Sequence, residues 1–443
     1  MTRTAEDQRP TPDVVRRAIR LGRLAGLPLA SLVDAGEGAV RRVRGEDPDV
    51  VSAALRRRSA ERTRRVLGQA KGGALKAGQL LSTVDALFPA DPEQSWSTAL
   101  AALPADNPPL PFAEVEPVLA ADLGPAWRDQ ITWIDTATPS AASIGQVHRA
   151  SLAGGRDVAV KVQYPGVADD LRVDLRAVSA VSWLSALIAP GMSLPPLVAE
   201  VRERLAEELD YTREGLIQQA FADACADDPT VAVPEVVTAT RRVLISDWLS
   251  GTPFTHLRGA PQAERDAMGL AYMRFLLSGP ARTGWLHTDP HPGNFLALPD
   301  GRLGVVDFGS ALALPDGMPP TFGRLISVLG RDDPGYIREG LEEEGFVRPA
   351  AEVDAVKLRD YLSPFIEPSR HEVFTFTPEW LRSQFGRLGD PRNPDFAVAL
   401  QLTMPAEHLF THRVWLGIVG VLCQLRATIP VRDEVRRWLP GLE

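Results

Sequence analysis

The chain has 443 residues, enough for two or three lobes, and its 44% hydrophobic and 24% charged residues are typical of a globular protein. A formal net charge of −9 argues against a general nucleic-acid binder, which would show a basic domain or stripe. The only two cysteines, Cys225 and Cys423, are far apart in sequence, which excludes a disulfide framework and a cysteine-based zinc site.

Residues 1–104 are predicted to be a helical extension. They are rich in Ala and Arg, contain KGGALKAGQLLSTVDALF, and lack the apolar core of a signal peptide. The Arg-rich stretch Arg41–Arg65 is interpreted as a solvated helix face, with a site for anionic lipid or phosphate as the alternative. The most apolar runs, Ala177–Pro190 and Val414–Cys423, are shorter than the roughly 18 residues of a membrane span and predict buried helices. We therefore expect a cytoplasmic protein, and any contact with a membrane would be peripheral.

Residues 105–250 are predicted to form a small antiparallel sheet with a helix packed on it. A Pro-rich break, Pro104–Phe112, marks the boundary, and EVEPVLAADLG after it reads as a short amphipathic helix. The segment IGQVHRASLAGGRDVAVKVQ alternates apolar and polar residues on both sides of Gly154-Gly155, which indicates a hairpin. PEVVTATRRVLISDWLSG predicts a second pair of strands, and the Glu-rich stretch Leu197–Ala226 between the two pairs predicts one long helix.

Residues 251–443 are predicted to be a mostly helical lobe with one interruption, HTDPHPGNFLALPDGRLGVVDFGS, from His287 to Ser310. Within it, FLAL and RLGVVDF flank Pro299-Asp300-Gly301, where Pro pre-sets φ and Gly accepts a left-handed conformation. The interruption is therefore expected to be a loop, a hairpin and a second loop.

The order and spacing of three motifs predict a site for a nucleotide, ATP or ADP, with Mg²⁺. Asp289 and Asn294 have the D-x-x-x-x-N spacing of a kinase catalytic loop, Asp307 begins a DFG sequence, and Lys161 ends an upstream VAVK. Phosphoryl transfer spreads negative charge over phosphate oxygens, so it needs cations and a placed base. We expect Asn294 and Asp307 to bind Mg²⁺, Lys161 to reach the α- and β-phosphates, and Asp289 to act on the acceptor.

The segment before Lys161 departs from the usual glycine-rich pattern. In SAASIGQV, residues 140–147, Gly145 and Val147 fit, but Ser140 and Ala142 stand where glycines belong. Because their Cβ atoms hinder close approach of the backbone to phosphates, we expect a changed ATP/ADP preference or a shifted γ-phosphate. The candidate nucleotide contacts are Ala141, Ala142, Ser143, Ile144, Gly145 and Val147, with Lys161 and, in the second strand pair, Asp247 and Leu249.

Taken together, these motifs resemble the UbiB/AarF family of atypical kinases, which includes the coenzyme-Q-linked kinases of mitochondria and their bacterial and plastid relatives. The segments that carry the resemblance are KAGQ, AASIGQVHRA, VAVKVQYPGV, EELDYTRE, HTDPHPGNF and VVDFG, and it runs from about Leu67 to the C-terminus. It implies an α+β, protein-kinase-like, two-lobed fold with an N-terminal helical extension that carries KxGQ across the site.

The resemblance also implies roles for residues outside the kinase motifs. Lys76 and Gln79 match KxGQ, and Glu208 and Asp210 match the ExD pair that is proposed to engage the extension. Glu214 matches the helix glutamate that pairs with the strand lysine, here Lys161. From the sequence alone, Lys161 could also pair with one of three other glutamates, which are Glu200, Glu203 and Glu207.

Three other functions compete with an atypical kinase or ATPase linked to isoprenoid-quinone or lipid metabolism. His287-x-Asp289-x-His291 with Asp307 would suit a metal-dependent hydrolase. The D-x-H-x-x-N loop also occurs in aminoglycoside-phosphotransferase-like kinases, and a pseudokinase acting as scaffold or lipid carrier would keep the same residues. After the DFG sequence, SALALPDGMPP contains no A-P-E, which favours a small molecule, a lipid or ATP hydrolysis over a protein substrate.

Overall fold

The computed structural model describes residues 109–169, 206–348, 353–388 and 405–442, and the positions 171, 203, 398 and 401–403. The predicted extension with Lys76 and Gln79, the apolar run Ala177–Pro190 and Glu200 lie outside these residues. The helices are α1 Phe112–Leu123, α2 Trp127–Gln130, α3 Tyr211–Cys225, α4 Gln262–Thr283, α5 Thr321–Gly330, α6 Pro334–Glu343, α7 Ala355–Arg370, α8 Pro378–Leu388, α9 Leu409–Leu425 and α10 Val431–Trp438. Short 3-10 helices cover Phe254–Gly259, Pro292–Asn294 and Ala406–His408.

The strands form two larger sheets and two short ladders. They are β1 Ile131–Ile134, β2 Ser140–Ala141, β3 Gly145–Leu152, β4 Asp157–Gln163, β5 Val231–Ala232, β6 Val236–Ala239, β7 Val243–Asp247, β8 Thr252–Pro253, β9 Trp285–His287, β10 Phe295–Ala297, β11 Leu303–Val305, β12 Ala311–Ala313, β13 Phe374–Thr375 and β14 Thr428–Ile429. The first sheet has the order β1-β3-β4-β7-β6 with β2 paired to β3, and the second has the order β5-β11-β10-β8. The ladders are β9 with β12 and β13 with β14.

The first sheet is antiparallel throughout and confirms both predicted strand pairs. Strands β3 and β4 turn at Gly154 and Gly155, whose φ angles of +102° and +84° suit glycine. Val158, Val160 and Val162 of β4 are fully buried in a core cluster that also contains residues of α1. Because side chains alternate along a strand, Lys161 projects from the opposite face, toward the functional residues.

The prediction of one helix over Leu197–Ala226 is wrong, because the chain turns just before Tyr211 and a new helix begins there. The Asp210 carboxylate accepts a hydrogen bond from the backbone N–H of Thr212 at 2.9 Å, so it caps α3. Asp stabilises a helix N-terminus but not a helix interior, and this cap ends the continuity that the Glu-rich pattern suggested.

The helical lobe surrounds α4, which is largely buried. Helix α9 packs against α4, and the apolar run Val414–Cys423 lies within α9 and is mostly buried, as predicted. The predicted hairpin is also present, since β10 pairs antiparallel with β11 and Gly301 has a φ of +84°. Among the described residues, no helix has the length and apolar character needed to cross a bilayer.

Candidate functional site

Lys161 lies between two carboxylates at the junction of the first sheet and the helical lobe. Its Nζ is 2.6 Å from Glu214 Oε1 and 3.2 Å from Asp307 Oδ1, and it lies 5.0 Å above the centre of the Tyr211 ring. Burial alone would lower the pKa of Lys161, but the charges of Asp307 and Glu214 raise it well above the usual value. Lys161 is therefore a permanent cation, and the structure pairs it with the glutamate that the resemblance implied.

Asp307 has an unusual backbone, with a φ of +65°, which non-glycine residues seldom adopt. Two hydrogen bonds hold this conformation. Gly309 N–H donates to Asp307 Oδ1 at 3.2 Å, and His287 Nε2–H donates to the Asp307 carbonyl oxygen at 2.9 Å. Phe308 is fully buried, with its ring centre 5.2 Å from that of Phe221 in α3 and 5.3 Å from that of His287. Burial lowers the pKa of His287, which keeps the imidazole neutral as a support for this loop.

Asp289 is held by two side chains. Asn294 Nδ2 donates to Asp289 Oδ2 at 2.9 Å, and Arg413 donates to Asp289 Oδ1 at 3.0 Å. The Arg413 side chain comes from α9 and is 16% exposed, and its Nη1 is buried without a hydrogen-bond partner in the described part of the chain. Sequence reasoning missed Arg413, because no motif or fixed spacing joins it to Asp289.

The Ala-rich segment forms a tight hairpin at the edge of the first sheet. Ser140 and Ala141 pair with Val147 and Gln146, and Ala142 N–H donates to the Gly145 carbonyl oxygen at 2.8 Å. A side chain on Gly145 would collide with the backbone of Val162, so only glycine fits there.

Three other candidate nucleotide contacts have side chains that contact the protein itself. The Ile144 side chain is 2% exposed and belongs to a core cluster with Tyr211, so it anchors the Ala-rich segment. The Asp247 carboxylate accepts a hydrogen bond from Arg156 Nε at 2.6 Å, so this side chain stabilises the first sheet. Leu249 lies beside Gly304 of β11.

Comparisons with known proteins agree with this geometry. A sequence model described as the ABC1 atypical kinase-like domain matches residues 102–334. The chain belongs to the ABC1 atypical kinase-like family. The solved structure of the complex of Rv3197 with erythromycin from Mycobacterium tuberculosis has a TM-score of 0.66 and 34% identity to this chain, and covers 89% of this chain and 99% of that one. The predicted family and the protein-kinase-like α+β fold are both confirmed.

Curated members of the ABC1 family share about a third of the aligned residues. The chain is 32% identical over 415 residues to the atypical kinase COQ8 of Saccharomyces cerevisiae, covering 89% of this chain and 79% of the yeast protein. It is 31% identical over 318 residues to the rat atypical kinase COQ8B, covering 70% of this chain and 59% of the rat protein. Both relatives are named as mitochondrial, so the cytoplasmic location expected here stays a prediction.

The turn before α3 carries Glu208 and Asp210, which the resemblance matches to an ExD pair, and α3 itself carries a second arginine that sequence reasoning missed. Glu208 is buried and Asp210 caps the helix. Arg213 forms an ion pair with Glu207 at 3.0 Å and donates to the Ala311 carbonyl oxygen at 3.1 Å. Ala311 pairs with His287 in the ladder of β9 and β12. This guanidinium therefore connects α3 to the ladder that joins the loop of Asp289 to the segment after the DFG sequence. The contacts of Lys76 and Gln79 lie outside the described residues.

Asp307 and Asn294 offer a donor set that suits Mg²⁺. The Asn294 amide N–H donates a hydrogen bond to Asp289, and Asn294 Oδ1 accepts no hydrogen bond within the described residues. In the same part of the chain, no three His, Cys, Asp or Glu side chains are grouped as metal ligands. Mg²⁺ at nucleotide sites is usually bound by one or two protein oxygens together with phosphate oxygens and waters. One carboxylate and one amide oxygen therefore fit a Mg-nucleotide better than they fit a metal held by protein alone.

Proposed function

We propose that this ABC1-family chain is an atypical kinase or ATPase that binds Mg-nucleotide and transfers the γ-phosphoryl group to an acceptor or to water. The observation that carries the proposal is the contact of Lys161 with both Glu214 and Asp307. It joins the strand lysine, the helix glutamate and the DFG aspartate, the three groups on which nucleotide placement depends in kinases.

We assign the residues of the candidate site the following roles in this reaction. Lys161, oriented by Glu214, binds the α- and β-phosphates. Asp307 and Asn294 would hold Mg²⁺, which neutralises charge on the phosphates. Asp289 orients the acceptor hydroxyl or water and takes its proton, and its carboxylate is aimed by Arg413 and Asn294.

The segment after the DFG sequence supports a small acceptor. Between Gly309 and Thr321 the chain forms only β12 and a turn before α5 begins. The hydroxyl of Ser310 is buried and lies 2.8 Å from that of Thr288. A protein substrate would find little surface here. We propose a small molecule or lipid acceptor, or water, with a link to isoprenoid-quinone or lipid metabolism and a peripheral membrane contact.

The surroundings of two histidines bear on the hydrolase alternative. His287 donates to the carbonyl oxygen of Asp307, and His291 Nδ1 accepts a hydrogen bond from Gly293 N–H at 3.1 Å. Both rings thus hold backbone in place. Each ring still has a second nitrogen, but no three His, Cys, Asp or Glu side chains of the described residues are grouped as the ligands that a transition-metal hydrolase needs.

The deciding experiment measures ATP turnover of the full chain with and without liposomes and a panel of prenyl-phenol head groups. Wild type should hydrolyse ATP or phosphorylate an added acceptor, and Asp289→Asn should abolish this while nucleotide binding persists. In parallel, Asp307→Asn should remove the Mg²⁺-dependent part of nucleotide-induced thermal stabilisation. Nucleotide binding without turnover under every condition would make the chain a pseudokinase, and zinc or iron retained through dialysis would support the hydrolase.

A further inference from the structure

Helix α9 lies along the catalytic loop in a regular register. Arg413 forms an ion pair with Asp289, Gly417 lies against Pro290, and Val421 borders the same cavity as Pro292. The three α9 residues are spaced by four, so they form one stripe on one face of the helix.

We propose that Gly417 is a positioning residue for the catalytic loop, because its missing side chain sets how closely α9 approaches Pro290. A Cβ atom at residue 417 would lie 2.6 Å from Pro290 Cβ and closer still to its Cγ. Real Cβ contacts are almost never this short, so any side chain at 417 must displace the helix or the loop. The proline ring is rigid and cannot fold away.

A buried tyrosine contacts the loop on its other side. The hydroxyl of Tyr272 in α4 donates to the Pro290 carbonyl oxygen at 2.7 Å, and Tyr272 is fully buried. Its ring packs edge-on against Phe295, with centres 4.6 Å apart, at the far end of the loop. Pro290 is therefore held between a buried hydroxyl and a glycine. A shift of Pro290 would carry Asp289 with it, since the two residues are adjacent.

Gly420, in the same helix, provides a matched comparison. No atom lies within 4 Å of the position that its Cβ would occupy. Alanine is more favourable than glycine in a helix interior, so Gly420→Ala should stabilise the protein or leave it unchanged. Gly417→Ala has the same intrinsic benefit and adds the collision, so any difference between the two variants measures the contact with Pro290.

The test compares ATP turnover, nucleotide affinity and hydrogen exchange of residues 287–294 in both variants; the turnover arm rests on the proposed function. Gly417→Ala should lower kcat by at least about tenfold with little change in nucleotide affinity, and should speed exchange in the loop. Gly420→Ala should match wild type in all three. Equal turnover and equal exchange in the two variants would overturn the proposal.

A second variant keeps the proposal testable if Gly417→Ala does not fold or if wild type shows no turnover. Pro290→Gly removes the ring and the Cβ that a side chain at 417 would strike. In the Pro290→Gly background, Gly417→Ala should therefore lower the melting temperature much less than it does in the wild-type background. The same should hold for its effect on hydrogen exchange of the loop. Hydrogen exchange and melting temperature report this coupling without catalysis, so an inactive wild type refutes the proposed function and leaves this test intact. Additive effects would refute the role of Gly417.

Discussion

The two ends of the proposed site differ in their charges: we call the surroundings of Lys161 the nucleotide end and the surroundings of Asp289 the acceptor end, after the roles proposed for them. At the nucleotide end, one ammonium, Lys161, contacts two carboxylates, those of Glu214 and Asp307. At the acceptor end, one carboxylate, Asp289, contacts one guanidinium, Arg413, and an amide. Loss of Glu214 still leaves Lys161 near Asp307, whereas loss of Arg413 removes the guanidinium that donates to Asp289 Oδ1. The acceptor end should therefore be the more sensitive to a single substitution, and its loss should appear in kcat, while loss at the nucleotide end appears in affinity.

Among substitutions of the residues that support Lys161 and Asp289, the largest effect is expected for Arg413→Met. Removing the guanidinium lets the Asp289 carboxylate leave its aimed position, and a misplacement of about 1 Å can cost roughly a hundredfold in rate. Turnover should fall by about that factor, with nucleotide affinity nearly unchanged. Arg426→Met, which removes an exposed ion pair with Glu379 beyond the end of α9, is the matched control and should keep full turnover. A parallel loss of affinity in Arg413→Met would erase the distinction between the two ends.

A smaller effect is expected for Glu214→Gln, measured by nucleotide titration. The amide keeps the shape of Glu214 but removes its charge, so Lys161 is drawn toward Asp307 and is less well placed for the phosphates. We expect nucleotide Kd to rise about tenfold, which corresponds to roughly 1.4 kcal/mol. Glu235→Gln, which removes an exposed ion pair with Arg156, should bind nucleotide like wild type. If kcat fell and Kd did not change, Glu214 would belong functionally to the acceptor end.

Ala142→Gly probes the edge of the nucleotide end. Removing this Cβ frees the hairpin closed by the Ala142–Gly145 hydrogen bond, so the backbone can approach the phosphates more closely. The ratio of ATP to ADP affinity should change by a few-fold, as measured by titration with each nucleotide. Identical ratios in the variant and in wild type would mean that the alanine has no part in nucleotide choice.

The smallest effect concerns stability and involves His148 in β3. It is fully buried, its Nδ1–H donates to the Asp135 carbonyl oxygen at 2.6 Å, and burial lowers its pKa despite this bond and the Asp135 charge. The unfolded chain then binds a proton near pH 6.5 that the folded chain excludes, so stability is kept above that pH and lost below it. Melting temperature should fall between about pH 7 and about pH 5.5. His148→Gln should reduce this slope without abolishing it, because burial also lowers the pKa values of His287, His408 and His412. An unchanged slope would assign the acid sensitivity to other groups.

Local signals in the sequence were enough to predict the hairpins and the positions of most of the motif residues. The turns at Gly154-Gly155 and Gly301, and the buried run in α9, each follow from residues that are neighbours in the chain. The helix predicted over Leu197–Ala226 failed because a single capping residue, Asp210, overrides the longer pattern.

The contacts of Arg413, Arg213 and Gly417 could not be predicted, for a different reason. Each of these residues meets a partner that lies far away in sequence, Asp289, Ala311 and Pro290 respectively. An arginine or a glycine in a helix looks the same whether it faces water or a functional loop. Their roles depend on how the lobes pack, which periodicity and spacing do not encode.

The segment from Gly309 to Pro320 also bears on how the site is controlled. It contains one hydroxyl side chain, Ser310, and that hydroxyl is buried against Thr288. Many kinases store a signal by being phosphorylated on this stretch, which keeps them active after the signal has ended. Here the stretch offers no accessible hydroxyl to phosphorylate, so it cannot record a past event in this way. Control of activity through this stretch would instead need a bound ligand, and it would end when that ligand dissociates.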